Sequence, residues 1–263
     1  MKIKEVIDAL ERFALLPLQE DWDNAGLQIG LTAAEASGAL LCLDVTEGVV
    51  DEAIAKGCNI VVAHHPLIFR PLRRITGDDP VQRAVIKAVK HDIAIVAMHT
   101  NMDNAVGGVN YKIAEKIGLQ DVELLAPKTV GGTLCGSGVI GQLKESMDAM
   151  AFINHISHVF DAPGIQCNQL LSRQISRVAL CGGAGDFMLP DAVKAGADAF
   201  LTGEMHYHQY FGYEQKLQIC VVGHYESEQF TTEIFHDIIT SECQGLNVVM
   251  AHTKTNPITH PTL

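Results

Sequence analysis

The run Asn59-Ile60-Val61-Val62-Ala63, followed at once by His64-His65-Pro66, limits what this chain can be more than any other stretch. The run is apolar, β-branched and too short for an ordinary helix, so it reads as a buried strand. Two imidazoles then sit at its end, and in an open α/β sheet ligands bind outside the ends of strands. Neutral imidazole is the commonest side-chain metal ligand. Neighbouring side chains on a strand point to opposite faces. With Pro66 breaking the ladder, the pair can instead reach two adjacent ions. Taken alone, the stretch is equally compatible with a buried strand that ends in two hydrogen-bonded histidines.

The pattern recurs. Ile93 to Met98 is a second apolar strand, ending in His99-Thr100-Asn101-Met102-Asp103, and Leu217 to Gly223 is a third, ending in His224-Tyr225-Glu226-Ser227-Glu228. Both place a carboxylate four residues after a histidine, directly behind a buried strand. Imidazole with carboxylate suits zinc, manganese, iron, cobalt or nickel, and a carboxylate can bridge two ions. With no thiolate at these ends, a structural zinc site of the four-Cys kind does not fit.

The 263 residues suffice for one large domain or two small ones, and 48% hydrophobic composition supplies a real core. Thirty-one acidic against nineteen basic residues, a net charge of -12, argue against a general nucleic-acid-binding surface. A local basic patch of Arg70, Arg73 and Arg74 stands out against that background. Seven cysteines, an odd number without a C-x-x-C pair and several of them inside apolar runs, read as reduced thiols of a cytosolic protein. The N-terminus has no apolar signal region and no apolar run is long enough to span a bilayer, so a cytoplasmic location is expected.

In chain order, residues 2–15 carry apolar side chains at helical spacing before Pro17, which predicts an amphipathic packing helix. Trp22 to Gly30 reads as a glycine-punctuated turn anchored by the only tryptophan. A strand over 39–43 ends at Asp44, and Thr46 can cap a helix that Gly57 terminates. Residues 67–78 form an irregular basic connection; Asp79 and Pro80 then start a helix, and another is expected over 109–117. Glycine-rich residues 126–138 are read as a compact junction, followed by a helix over about 144–160 and strands over 166–171 and 178–181. Gly182-Gly183-Ala184-Gly185 can present N–H groups to a phosphate, but without Walker spacing an ordinary tight turn is the favoured reading.

The halves repeat each other. Cys42 to Gly57 and Cys181 to Gly196 are the same distance apart, each spanning strand, helix and terminating glycine before the next strand. Two copies of a β-α-β-α-β unit, residues 1–128 and 129–263, are therefore expected to face a shared cleft. Gly203-Glu204-Met205-His206-Tyr207-His208 takes in the second copy the place of His64-His65 in the first, so Glu204 and His208 are expected to touch substrate.

The ordered set of Trp-Asp-Asn-x-Gly-Leu-x-x-Gly from Trp22, Ala63-His64-His65-Pro66, His99-Thr100-x-x-Asp103, Gly182-Gly183-Ala184-Gly185, Thr202-Gly203-Glu204 and Gly223-His224-x-x-x-Glu228 resembles the Nif-three-like family over essentially the full length. These proteins are often labelled GTP cyclohydrolase I type 2 homologues. The resemblance implies an α/β fold of two duplicated, intertwined domains with mixed sheets, a dinuclear divalent-metal site in the cleft, and a homohexamer. Carried onto this chain, it implies His64, His65, Asp103, His224 and Glu228 as ligands, with Glu228 as the bridge. The duplication makes His99 the counterpart of His224, whereas the family pattern leaves it beside the metals; it is taken as a proton-transfer group or a structural histidine.

An ion pair of this kind would acidify water from a pKa of 15.7 towards about 7, so the chemistry expected is hydrolytic, on a nucleotide-like substrate. GTP-cyclohydrolase-type ring opening follows the family label. The alternatives are a metal-binding scaffold or interaction protein without turnover, and a phosphoesterase or nuclease for which Arg70, Arg73 and Arg74 would matter.

Overall fold

Helix α1 (Ile3–Phe13) forms because Ile3, Val6, Ile7 and Leu10 share one face, and all four are buried. The computed structural model describes residues 1–261; the last two residues of the expected second half, 262 and 263, lie outside them. The chain divides into two compact units, the first comprising residues 1–105 and 231–257 and the second residues 106–230 with the tail from 258.

After α1, the first unit runs through β1 (Gly26–Ile29), β2 (Ala39–Cys42), α2 (Glu47–Ala55), β3 (Ile60–Ala63), α3 (Pro80–Lys90), β4 (Ala94–Ala97) and α4 (Thr100–Asn104). Thr46 and Asp79 cap α2 and α3 by accepting the N–H groups of Val49 and Gln82. β2, β3 and β4 are parallel and every residue in them is buried, as continuous apolar runs require of strands covered on both faces. Part of the segment expected to be a turn is instead an edge strand: β1 pairs antiparallel with β4. Gly30 ends it at φ +112°, where a Cβ would come within 2.6 Å of the Ala94 Cα, so no other residue lets the strand lie this close.

The second unit holds α5 (Val109–Ile117), β5 (Leu119–Val130), β6 (Thr133–Met147), α6 (Ala149–Phe160), β7 (Gln166–Cys167), β8 (Ile175–Cys181), α7 (Leu189–Lys194), β9 (Ala199–Thr202), β10 (Gln218–Val221) and α8 (His224–Glu228). The expected junction is a correction: β5 and β6 form a long hairpin through Gly131 and Gly132, both at positive φ as a two-residue turn demands. The division expected between 128 and 129 falls inside this hairpin, and the units part instead near Ala105 and Phe230. The helix expected from Lys144 begins only at Ala149, where Asp148 caps it, because β6 continues to a bridge between Met147 and Ile175. The strand expected over 166–171 keeps only its first two residues.

The chain then returns to the first unit with α9 (Thr231–Glu242) and β11 (Val248–Met250), which lies parallel beside β2. The first sheet has the order β1-β4-β3-β2-β11 and the second β5-β6-β8-β9-β10-β7, so both are mixed. The core of the first unit gathers Leu40, Val61, Val85 and Ile95, and that of the second Phe200, Ile219, Ala192 and Met188. No helix among the described residues is long and apolar enough to cross a membrane.

Candidate metal centre

In the first unit, the parallel strands β3 and β4 end side by side, which brings His64, His65 and His99 together. Their ring centroids are 4.9 Å (His64 to His65), 5.3 Å (His64 to His99) and 5.4 Å (His65 to His99) apart. One ligand atom from each lies within 4.8 Å of the others, so the group could hold a metal ion. Asp103 joins from α4, which starts where the His99 carbonyl accepts the N–H of Met102 and Asp103, and its Oδ1 stands 3.6 Å from His64 Nε2.

The outer partners fix which nitrogen each ring presents. His64 Nδ1 lies 2.9 Å from the Met98 carbonyl, His65 Nδ1 2.7 Å from Asp44 Oδ1 and His99 Nδ1 2.7 Å from Asp23 Oδ1. A carbonyl or carboxylate only accepts, so Nδ1 carries the proton and Nε2 is the basic nitrogen of each neutral ring. Burial works against the charge of Asp23, yet hydrogen bonds from His99 and Thr100 outweigh it and hold the carboxyl at about 2. Asp44 is likewise held below the usual carboxylate range: burial opposes it, but His65 and Thr255 hydrogen-bond to it.

The second unit supplies a pair of its own. Gly223, at φ +112°, turns the end of β10 into α8, which displays His224 and Glu228 one helical turn apart, His224 Nε2 being 3.1 Å from Glu228 Oε2. His224 Nδ1 lies 2.9 Å from Glu204 Oε1, the same outer arrangement as in the first unit. The glycine-rich turn after β8 is a tight turn. Its N–H groups are taken by this unit's own side chains, Gly182 by Asn110, Gly183 by Ser227 and Gly185 by Thr202. Gly183 sits at φ +58°, and a Cβ there would run into the Glu228 carboxylate. Gly203 is as confined, since its Cβ would fall 2.7 Å from Ser227 Oγ and 2.9 Å from the His224 Cα.

Both sets combine imidazole nitrogen with carboxylate oxygen and no thiolate, a donor chemistry that fits borderline divalent ions such as zinc, manganese, iron, cobalt or nickel. His64 is fully buried and Glu228 nearly so, which places donors where a protein holds an ion, away from bulk water. His208 belongs to neither set: it lies on an exposed turn of the second unit, packed against Tyr207 and Phe211. His206, also exposed, faces Asp186 at 3.3 Å. Sequence reasoning did not find Asp23 and Asp44 as the groups that orient His99 and His65. Asp44 carried a signal, a lone carboxylate at the end of a buried strand, whereas Asp23 lies 76 residues from its partner in a segment read as a turn.

Known proteins are similar to this chain in sequence over most of their length. A Clostridium perfringens protein named GTP cyclohydrolase 1 type 2 homolog is 33% identical over 229 residues, 87% of each chain. A Lactococcus lactis protein of the same name is 30% identical over 98% of each chain. The crystal structure of a Bacillus cereus protein related to NIF3 superimposes with a TM-score of 0.90 at 26% identity, covering 99% of both chains. Residues 1–257 match the model of one family, and the chain belongs to it: Duf34/NIF3 (NGG1p interacting factor 3).

Proposed function

We propose that the chain is a dinuclear divalent-metal hydrolase for a nucleotide-like substrate, with His64, His65, Asp103, His224 and Glu228 as the ligands of two ions and Glu228 as their bridge. The observation that carries this reading is the shared orientation of four imidazoles. His64, His65, His99 and His224 all set Nδ1 against an oxygen and so turn Nε2 the other way, which is what outer partners do for metal-binding histidines. The names of the bacterial relatives point to GTP-cyclohydrolase-type ring opening as the reaction.

When bound, the ions supply Lewis acidity and bring the pKa of water down towards about 7. The chain's own groups do the rest. His99, its tautomer fixed by Asp23, takes a proton at Nε2 from water or substrate and returns it to the leaving atom, while the Asp23 carboxylate steadies the imidazolium. Asp44 and Glu204 hold His65 and His224 in their ligating orientation. Glu204 touches His224 with one oxygen and can meet substrate with the other, and His208 is the second substrate contact from that unit.

The same reading includes a duplicated architecture, supported by three consecutive parallel strands with an antiparallel neighbour beside the third in each sheet. It also includes a homohexamer and a cytoplasmic setting, the latter supported by seven cysteines that are all thiols. The family's description as an interacting factor favours a second reading, a metal-binding protein that acts through a partner without turnover. Incubation of metal-loaded protein with GTP separates the readings. Formate and an opened purine above a Glu228→Gln control support the cyclohydrolase, and phosphate release alone supports a phosphoesterase. Neither product, with metal retained, leaves the scaffold.

A further inference from the structure

The first unit displays aromatic surface and unpaired cations side by side, next to its imidazole group. Trp22 is 61% and Phe69 44% exposed. Their rings stand 6.0 Å apart at 66°, and they meet the His99 ring at 6.1 Å and 76° and at 6.3 Å and 83° respectively. Three rings set nearly edge-on to one another form a corner whose open aromatic faces are suited to stacking. The corner is braced. Asn24 Nδ2 donates to the Ile68 carbonyl at 2.6 Å and Gln28 Oε1 accepts the Ile68 N–H at 3.0 Å, tying the segment that carries Trp22 to the one that carries Phe69. Asp23, adjacent to Trp22, grips His99 and Thr100. A preformed exposed aromatic surface avoids the ordering cost of building one around a ligand.

The arginines point the same way. Arg12, Arg83, Arg173 and Arg177 each pair with a carboxylate. The other three, Arg70 directly after Phe69 and Arg73 and Arg74 beyond Pro71-Leu72, are exposed and have no hydrogen bond or ion pair with any described residue. In a chain of net charge -12, acidic partners for them are abundant, yet these three have none among the described residues. The guanidinium fork matches phosphate oxygens.

We propose that Trp22 and Phe69, with Arg70, Arg73 and Arg74, form the binding site for a planar, phosphate-bearing ligand of nucleotide size, seated beside His99 with its ring on the aromatic corner and its phosphate on the arginines. This rests on the hydrolase reading and assigns substrate-binding residues to it. A single nucleotide fits better than a long nucleic-acid strand, which the net negative charge would repel beyond the basic loop.

Trp22 is the only tryptophan, so intrinsic fluorescence reports from the corner alone. Full-length protein, metal-free and manganese-loaded, is titrated with GMP, guanosine and ribose 5-phosphate at low and high salt. GMP is expected to quench saturably in both forms, and more weakly at high salt. Guanosine quenches with an affinity about ten-fold lower and no salt dependence, and ribose 5-phosphate competes without quenching. Replacing Arg70, Arg73 and Arg74 together by alanine should weaken GMP about ten-fold and remove the salt dependence, while Phe69→Ala weakens guanosine as well. Metal content is measured in every sample. Absence of saturable quenching in protein that keeps its metal would overturn the ligand site and leave the metal reading standing. Quenching in protein that takes up no metal would do the reverse. Tryptophan emission that shifts with protein concentration and ignores GMP would show the corner to be covered by a second copy. Tighter binding of a single-stranded oligonucleotide than of GMP through the same arginines would replace the nucleotide by nucleic acid, and either of these last results overturns the proposal.

Discussion

Replacing Asp23 by asparagine removes one charge from beside His99 while keeping the side chain's shape. Its side chain is fully buried and receives four hydrogen bonds: His99 Nδ1 at 2.7 Å and the Asn24 N–H at 2.7 Å on Oδ1, the Thr100 N–H at 3.0 Å and Thr100 Oγ1 at 2.5 Å on Oδ2. Burial resists the charge, but these bonds hold the carboxyl at about 2, against 3.8 for an ordinary aspartate. Because the folded value is the lower one, the stabilisation is complete above the unfolded value and is lost as pH falls towards the folded one. The difference corresponds to roughly 2.5 kcal/mol at neutral pH. An asparagine also turns one acceptor into a donor. It faces either the Thr100 N–H, a repulsive contact, or His99 Nδ1, which then must give up its proton and move it to Nε2. Metal-free Asp23→Asn protein should melt about 4–10 °C lower than the parent at about pH 7, and the gap should narrow as pH approaches about 3. Calorimetry at the two pH values measures both. Equal melting temperatures near neutrality, or a gap that stays constant down to about pH 3, would refute the assignment of this energy to the Asp23 carboxylate.

Other perturbations follow from the same contacts. Glu52 accepts the N–H groups of His252 and Thr253 and the Thr253 hydroxyl, which hold it at about 2 in spite of burial. Glu52→Gln should cost about 1–2 kcal/mol and lower the protection factors of the His252 and Thr253 amides (exchange relative to an unstructured chain at the same pH), as should lowering the pH of the parent from 4.5 towards 2; unchanged protection factors would contradict this. Gly183→Ala drives a methyl group into the Glu228 carboxylate and should weaken metal uptake about 10–100-fold, measured by competition with a chelating dye, whereas full uptake would show that Glu228 moves aside at no cost. Glu204→Gln leaves His224 with a weaker acceptor, and metal affinity should fall about ten-fold in the same assay with no change in melting temperature of the metal-free protein.

Much of this was legible because the relevant strands are short, apolar and buried on both faces. Ile60 to Ala63, Ala94 to Ala97 and Gln218 to Val221 announce themselves by composition, and the histidines that follow them stand out against that background. Pairing across long separations left less trace. Val248 to Met250 is three residues long and becomes a strand only because β2 lies beside it, so nothing local marks the return of residues 231–257 to the first unit. Gly131-Gly132 carries the same signal as a linker, and only the register of Val130 with Thr133 makes it a hairpin turn. Lys144 to Met147 precedes a helical pattern without a break in hydrophobicity, and the boundary is set by the Asp148 cap and the bridge to Ile175. The Asp23 carboxylate is the least visible of all, because its hydrogen bond from His99 joins a turn to a strand end 76 residues away.

The metal content of the purified chain tests the proposed centre most directly. Elemental analysis of native-purified protein, with anomalous diffraction to place the ions, should find near two divalent ions per chain at His64, His65, Asp103, His224 and Glu228, and none in a His65→Ala, Glu228→Ala double variant that still folds. Protein that holds no ion after reloading with manganese, iron or zinc would contradict the proposal and leave the four oriented imidazoles as hydrogen-bonded structural groups.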